Sequence, residues 1–106
     1  MPPENDELAA LGAERSRAIH AALVDKLNAE RVAIVDKTWQ HRRHEGARDG
    51  RGHFEVTVVS PRFEGHGTLA RHRMVYDALS DLILSDIHAL KIRALTPDAD
   101  APEPKP

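Results

Sequence analysis

The sequence predicts a single α+β domain in which helices pack against one face of a small β-sheet. Apolar residues recur at three- and four-residue spacing in 15–29 and 69–84, as expected for amphipathic helices. Apolar and polar residues alternate in 53–60 and 87–96, as expected for half-buried strands. A chain of 106 residues is long enough for one modest core and too short for two.

The first half of the chain predicts a helix followed by a hairpin. The helix covers 15–29, RSRAIHAALVDKLNA, whose Ile19, Ala22, Leu23 and Leu27 form one apolar stripe. The β-branched segment RVAIVDKT at 31–38 predicts a strand of about five residues. A long glycine-containing loop separates it from HFEVTVVS at 53–60, whose Phe54, Val56 and Val58 face one side. Because only this loop lies between them, the two strands are expected to pair as a hairpin.

The second half predicts a helix and a third strand. A break at 61–68, PRFEGHGT, has room for a short helical turn. Thr68 is the predicted N-cap of the helix over 69–84. The segment IHALKIRALT at 87–96 predicts the last strand, and His88 shares the parity of its inner, apolar positions. The predicted order is therefore helix, strand, strand, helix, strand.

The charges are distributed unevenly along the chain. Segments 1–14 and 98–106 are acidic, contain proline and lack periodicity, so both are predicted to be disordered. The remaining domain, 15–97, holds fourteen Lys and Arg against ten Asp and Glu. This mildly basic balance permits contact with nucleic acid without requiring it. No secretory signal, transit peptide or membrane span is recognisable, so a cytoplasmic protein is expected.

The sequence offers little that predicts catalysis. It has no cysteine, no serine in a G-x-S-x-G elbow and no phosphate-binding glycine motif. The carboxylates of Asp81 and Asp86 are expected to be solvated on or beside a helix. We therefore expect a protein that is not an enzyme. Since the chain has no thiolate, any soft metal centre would need sulfur from a partner or a small thiol.

Histidines are the candidate metal ligands. Three of the seven, His41, His44 and His53, lie in or beside the loop, in the stretch WQHRRHEGARDGRGHF. His41 and His44 are placed where a ligand can reach a partner, although short histidine pairs also occur by chance. His53 begins a strand on the outer face and is expected to pack or form a hydrogen bond. His88 begins the last strand. Two roles are open for it at this point, a metal ligand and a structural histidine.

Three basic side chains, Arg71, His72 and Arg73, lie near the start of the second helix. Cations there oppose the helix dipole, at a cost of about 0.3–1 kcal/mol each when exposed. An anionic partner surface would offset this cost, and so would an intramolecular ion pair. We predict that these three residues bind a partner.

Several motifs follow one another through the chain. F-x-G occurs at 63–65, R-H-R-M-V-Y-x-A-L at 71–79 and H-A-L at 88–90. The H-F-x-V-x-V-V-S strand and the V-D-K-T-W-Q-H entry to the loop precede them. Together these motifs, which extend over 15–97, resemble those of the BolA family. The resemblance implies an α-β-β-α-α-β fold with a three-stranded sheet, similar to a type II KH domain, and a non-catalytic role.

The resemblance also implies a partner and a cofactor. BolA proteins form heterodimers with monothiol CGFS-type glutaredoxins that hold a bridging [2Fe-2S] cluster in iron–sulfur assembly, trafficking and iron homeostasis. The glutaredoxin cysteine and a glutathione thiol bind one iron, and the BolA protein binds the other. The histidine of the H-A-L motif matches His88. The loop ligand matches His41 when counted forward from the first strand, and His44 when counted back from the His-Phe pair.

Two other functions remain open at this point. The KH-like fold, and the description of some BolA relatives as transcriptional regulators, suggest a nucleic-acid-binding regulator. Against this, the G-x-x-G clamp of KH domains is replaced by G-x-G at Gly65 and Gly67. A third reading is an adaptor that docks to the glutaredoxin without a cluster.

Overall fold

The structure is a computed structural model that describes residues 3–38 and 52–100, with side chains described for 10–38 and 52–98. The elements are α1 (Pro3–Leu27), β1 (Arg31–Asp36), β2 (Gly52–Val59), a 3-10 turn (Pro61–Phe63), α2 (Thr68–Ala78), α3 (Ser80–Ser85), β3 (Ile87–Leu95) and the single turn α4 (Pro97–Asp100). This order confirms the α+β class and the α-β-β-α-α-β arrangement. The likeness to a type II KH domain remains a prediction.

The sheet is mixed, with the strand order β1-β2-β3. β1 and β2 pair antiparallel, as the hairpin prediction requires. β2 and β3 pair parallel, and the connection between them contains α2 and α3, because parallel neighbours need a crossover. The central strand, β2, is consequently buried over most of its length.

The core lies between the helices and one face of the sheet. Phe54, Val56 and Val58 of β2 all enter it, which confirms the alternation expected from the sequence. The core is completed by Ile19, Leu23 and Leu27 of α1, Phe63 of the 3-10 turn, Val75 and Ala78 of α2, Leu79, and Ile87 of β3. Full burial of Phe63 explains why a short turn is retained between β2 and α2.

The first helix is longer than predicted. It begins at Pro3, so the prediction that 1–14 is disordered is wrong for residues 3–14. The segment DELAALGAER is rich in Ala, Leu, Glu and Arg, which have high helix propensity. Gly12 is buried in close contact with the Asp36 carboxylate, where a side chain would collide. The helix ends where Asn28 adopts a left-handed conformation with φ of 53°.

The second helical region also differs from the prediction. The single helix expected over 69–84 divides at Leu79, whose φ of −103° and ψ of 12° interrupt the helical path. The N-cap of α2 is Gly67 and not Thr68, which is the first helical residue. At the other end of the chain, α4 replaces part of the predicted disordered segment 98–106, and 101–106 lie outside the described residues. In the described residues no helix is both long and apolar enough to cross a membrane.

Candidate metal-ligand site

His88 lies at an irregularity in the pairing of β2 with β3. Gly52 pairs with Ile87 and His53 pairs with Ala89, so His88 is an extra residue with no Cα partner on β2. Such bulges are rare in parallel pairs, and they redirect a side chain next to functional sites. The bulge therefore marks His88 as a residue whose orientation is specified by the fold.

The bulge also changes which residues of β3 face the core. Ile87 is 2% exposed and belongs to the core, His88 and Ala89 are exposed, and Leu90 returns to the inner face. The prediction that His88 continues the inner face of Leu90 and Ile92 is therefore wrong. The extra residue shifts the phase of the strand, so that His88 becomes accessible.

The structure brings His53 against His88. Their ring centroids lie 5.1 Å apart, with the ring planes inclined at 46°. His53 is on the side of β2 opposite Phe54, as predicted, and only 8% of it is exposed. The site thus combines one shielded and one accessible imidazole, contributed by neighbouring strands.

Backbone hydrogen bonds anchor the start of β2 to both of its neighbours. The His53 amide donates to the Thr38 hydroxyl at 3.1 Å, and the Lys37 amide donates to the His53 carbonyl at 2.7 Å. The Gly52 amide donates to the Asp86 carbonyl at 2.8 Å. These bonds hold the residues on either side of the bulge, so both histidines are mounted on a constrained backbone.

The first half of α1 supports the same end of the sheet. Arg15 Nε lies 3.3 Å from Asp86 Oδ1, and Asp86 precedes the bulge by two residues. Ser85 Oγ donates to the other Asp86 oxygen at 2.8 Å. Asp36, the residue that Gly12 approaches, accepts a hydrogen bond from the Thr38 amide at 2.9 Å. Gly12, in the segment predicted to be disordered, and Arg15, the first residue of the predicted helix, therefore both support this end of the sheet.

The other predicted site residues have different outcomes. His41 and His44 lie outside the described residues, so their assignment as loop ligands stays a prediction. The guanidinium of Arg71 forms two hydrogen bonds within the chain. Its Nε donates to the His66 carbonyl at 2.7 Å, and its Nη1 donates to the Ala94 carbonyl at 3.2 Å. His72 is half-buried and Arg73 is exposed, so Arg73 is the most available of the three for a partner.

The site is not a complete metal centre by itself. Among residues 3–38 and 52–100, no three His, Cys, Asp or Glu side chains are grouped so that they could hold an ion. Sequence reasoning missed the proximity of His53 to His88. Both were recognised as strand-start residues, but only the parallel pairing of β2 with β3 shows that they meet.

Comparison with known proteins identifies the family. The sequence model of the BolA-like protein family matches residues 23–99. BolA-like protein 1 of Mus musculus is 41% identical over 80 residues, covering 76% of this chain and 56% of that protein. SufE-like protein 1, chloroplastic/mitochondrial, of Arabidopsis thaliana is 38% identical over 93 residues, covering 83% of this chain and 25% of that protein. The chain thus spans between a quarter and just over half of these relatives.

A solved structure leads to the same assignment. BolA1 from Arabidopsis thaliana aligns with a TM-score of 0.68 and 33% identity, covering 83% of this chain and 96% of that one. The name of the SufE-like relative refers to chloroplasts and mitochondria, so the cytoplasmic location expected from the sequence stays a prediction. From the family match and the shared fold together, we conclude that this chain belongs to the BolA-like protein family.

Proposed function

We propose that this protein is a non-catalytic partner of a monothiol glutaredoxin, and that the pair holds a bridging [2Fe-2S] cluster in iron–sulfur assembly, trafficking and iron homeostasis. The observation that carries the proposal is the accessible imidazole of His88, presented by a bulge next to a second histidine. Membership of the BolA-like family supports it.

The donor atoms on this chain fit one half of such a cluster. Imidazole nitrogen is a suitable ligand for iron, and His88 combines exposure with a constrained backbone. The chain has no cysteine, so all thiolate ligands come from the glutaredoxin and glutathione. When bound, a cluster with two imidazoles on one iron has a higher reduction potential than one with four cysteines. The role of this chain is to supply and orient those imidazoles.

Exposed basic side chains lie on β3 and α2 and offer a surface to the glutaredoxin. Lys91 and Arg93 are exposed on β3, the strand that carries His88, and Arg73 is exposed on α2. Arg71 contributes by holding α2 and the preceding turn to the end of β3, through its two carbonyl partners. We infer that the partner presents acidic side chains on its docking surface, which would accelerate association at low salt.

Co-expression with a monothiol glutaredoxin tests the proposal. The complex is purified anaerobically with glutathione, and its visible absorption and reduction potential are measured. We expect a red heterodimer whose spectrum and potential change in His88→Ala, while His20→Ala, an exposed histidine on α1, behaves as wild type. An unchanged spectrum in His88→Ala would refute the ligand assignment.

The same experiment separates the other functions. A stable but colourless heterodimer would indicate an adaptor that docks without a cluster. If no heterodimer forms, and DNA binding is tight, sequence-selective and steeply dependent on salt, the protein is a nucleic-acid-binding regulator.

A further inference from the structure

We propose that one turn of α1, from Gly12 to Arg15, is a clamp that joins the two outer strands of the sheet and positions the start of β3. Gly12 contacts the last residue of β1, and Arg15 contacts the residue before β3. β1 and β3 each pair with β2, and α1 connects them to each other at one end. The inference rests on the proposed function only for the task of His88, and it can be tested on the isolated protein.

The topology brings the two contacts to the same edge of the sheet. β1 and β2 are antiparallel, and β2 and β3 are parallel, so the end of β1 lies beside the starts of β2 and β3. Asp36 ends β1 and Asp86 immediately precedes β3, on either side of β2. Because neighbouring strands are about 4.8 Å apart, the two outer strands are roughly 10 Å apart. A helix that crosses this edge is therefore able to reach both of them.

The spacing within α1 matches this arrangement. Gly12 and Arg15 are three residues apart, so they lie on the same face of the helix. Glycine brings the helix backbone against Asp36, whereas the long side chain of Arg15 extends to Asp86. Arg15 Nε lies 3.3 Å from Asp86 Oδ1, and the two side chains are only 10% and 32% exposed. One close contact and one longer contact thus let a single helical turn hold two strands.

Gly12 is the only glycine of α1, and a contact outside the helix explains its presence. Glycine in the interior of a helix is less stable than alanine. A Cβ atom at this position would collide with Asp36 Oδ2. The carboxylate is restrained from turning away, because its other oxygen accepts the Thr38 amide at 2.9 Å. Gly12 therefore gives up helix propensity in favour of close contact with β1.

Each contact of the clamp leads to one of the two histidines. Thr38, held by the Asp36 carboxylate, accepts the His53 amide through its hydroxyl at 3.1 Å. On the other strand, the Asp86 carbonyl accepts the first amide of β2 at 2.8 Å, and His88 lies two residues further along the chain. The clamp thus fixes the backbone on both sides of the two imidazoles, and its residues are positioning residues for them.

Hydrogen exchange of the isolated protein, followed by NMR, tests the clamp. Two amides report on its two sides, that of Thr38 after β1 and that of Gly52 beside the start of β3. Relative to the amide of Val56 in the middle of β2, we expect Gly12→Ala to accelerate exchange at Gly52 by about tenfold. Arg15→Met should accelerate exchange at Thr38 by a similar factor. Each effect crosses to the strand that the substituted residue does not touch, so effects confined to the contacted strand would overturn the clamp.

Matched variants separate the clamp from helix propensity and from overall stability. Ala21→Gly, at an exposed position further along α1, weakens the helix without touching the clamp. Arg17→Met removes an exposed arginine of the same helix. Ser60→Ala removes a buried hydroxyl at the opposite end of β2. In all three, relative exchange of the two reporting amides should stay within about twofold of wild type. A tenfold rise in any of them would overturn the clamp.

The imidazole signals of His88 provide a second measurement. Arg15→Met should move the proton–carbon resonances of this ring and weaken its nuclear Overhauser contact with His53, because the two rings are in contact in the native protein. Arg15→Lys keeps a cation within reach of Asp86 and should retain that contact. Thermal unfolding verifies that each variant is folded. Unchanged His88 signals in folded Gly12→Ala and Arg15→Met would overturn the positioning role.

The outcomes distinguish the clamp from the proposed function. If both variants affect the opposite strand but no red heterodimer forms with a monothiol glutaredoxin, the clamp stands and the proposed function fails. If a red heterodimer forms and neither variant affects the opposite strand, the proposed function stands and the clamp fails.

Discussion

Replacement of Gly52 by alanine is expected to destabilise the protein at the candidate site. A Cβ atom at Gly52 would lie 2.5 Å from Phe54 Cε2 and 2.9 Å from Thr38 Oγ1. Ordinary contacts begin near 3.4 Å, so both neighbours would have to move. The Phe54 ring is fixed in the core, and the Thr38 hydroxyl accepts the His53 amide. Relief of the collision therefore requires a shift of either the core or the site.

The magnitude follows from two opposing effects. Forcing an extra methyl group into a packed interior costs about 1–3 kcal/mol. Alanine reduces the conformational entropy of the unfolded chain, which returns about 0.4–1 kcal/mol. The free energy of unfolding is thus expected to fall by about 1–2 kcal/mol. For a domain of this size, such a loss lowers Tm by roughly 5–15 °C.

Circular dichroism during heating and urea denaturation measures this change. Gly67→Ser is the matched control, because no atom lies within 4 Å of the position where its Cβ would be. Serine is also a favourable N-cap residue for α2, so the control should be neutral or slightly stabilising. A Tm for Gly52→Ala within about 2 °C of wild type, corresponding to less than about 0.5 kcal/mol, would refute the reasoning.

Four other substitutions test separate parts of the structure. Arg15→Met removes the partner of Asp86, and because these side chains are 10% and 32% exposed, unfolding in urea should show a loss of about 1–2 kcal/mol. Ser60→Ala removes a fully buried hydroxyl that donates to one backbone group and accepts from another, which should cost about 1–3 kcal/mol in the same assay. Arg73→Ala should weaken glutaredoxin binding several-fold in calorimetry without changing stability, whereas Arg71→Ala should lower the free energy of unfolding by about 1–2 kcal/mol.

Analogues that are weaker or more exposed serve as controls for these substitutions. Lys37→Met, in a looser pair with Glu55 at 3.9 Å, should change stability by less than about 0.5 kcal/mol. Ser85→Ala, at an exposed hydroxyl, should be similarly mild. Zero coupling between Arg15→Met and Asp86→Asn in a double-mutant cycle would contradict the ion-pair argument. Unchanged glutaredoxin affinity in Arg73→Ala would remove α2 from the docking surface.

Periodicity predicted the parts of the fold in which one face of an element is buried along its length. Ile19, Leu23 and Leu27 were recognised from helical spacing, and Phe54 and Val56 from alternation, and all five lie in the core. These predictions need only the sequence of the helix or strand itself, because the helical or strand period determines which side chains share a face. The hairpin between β1 and β2 was predictable for a similar reason, since its strands are neighbours in the sequence.

The first half of α1 was missed because its support is tertiary. Acids and prolines near the start of the chain suggested disorder, although Ala, Leu and Glu favoured a helix. Gly12, within the missed part, contacts Asp36, and Arg15, the first residue of the predicted helix, pairs with Asp86; both partners lie far along the chain. No local pattern specifies such contacts.

The meeting of His53 with His88 was hidden for a related reason. It depends on a parallel pairing between strands separated by two helices, and on one extra residue in β3. A local signal of the bulge was nevertheless present: Ile87 and Leu90 are both apolar but three residues apart, and strict alternation puts them on opposite faces. Ile87 and Leu90 can both face the core only if one residue between them is left out of the regular alternation, as in a bulge.

Burial of Ile87 and exposure of His88 are consequently two results of the same bulge. Ile87 is held by the core at 2% exposure, and its neighbour must then leave the ladder on the other side, toward His53. The position of the accessible imidazole is therefore set by hydrophobic packing, without any contact specific to a metal. The position of His88 beside His53 is a consequence of how β3 packs Ile87 into the core.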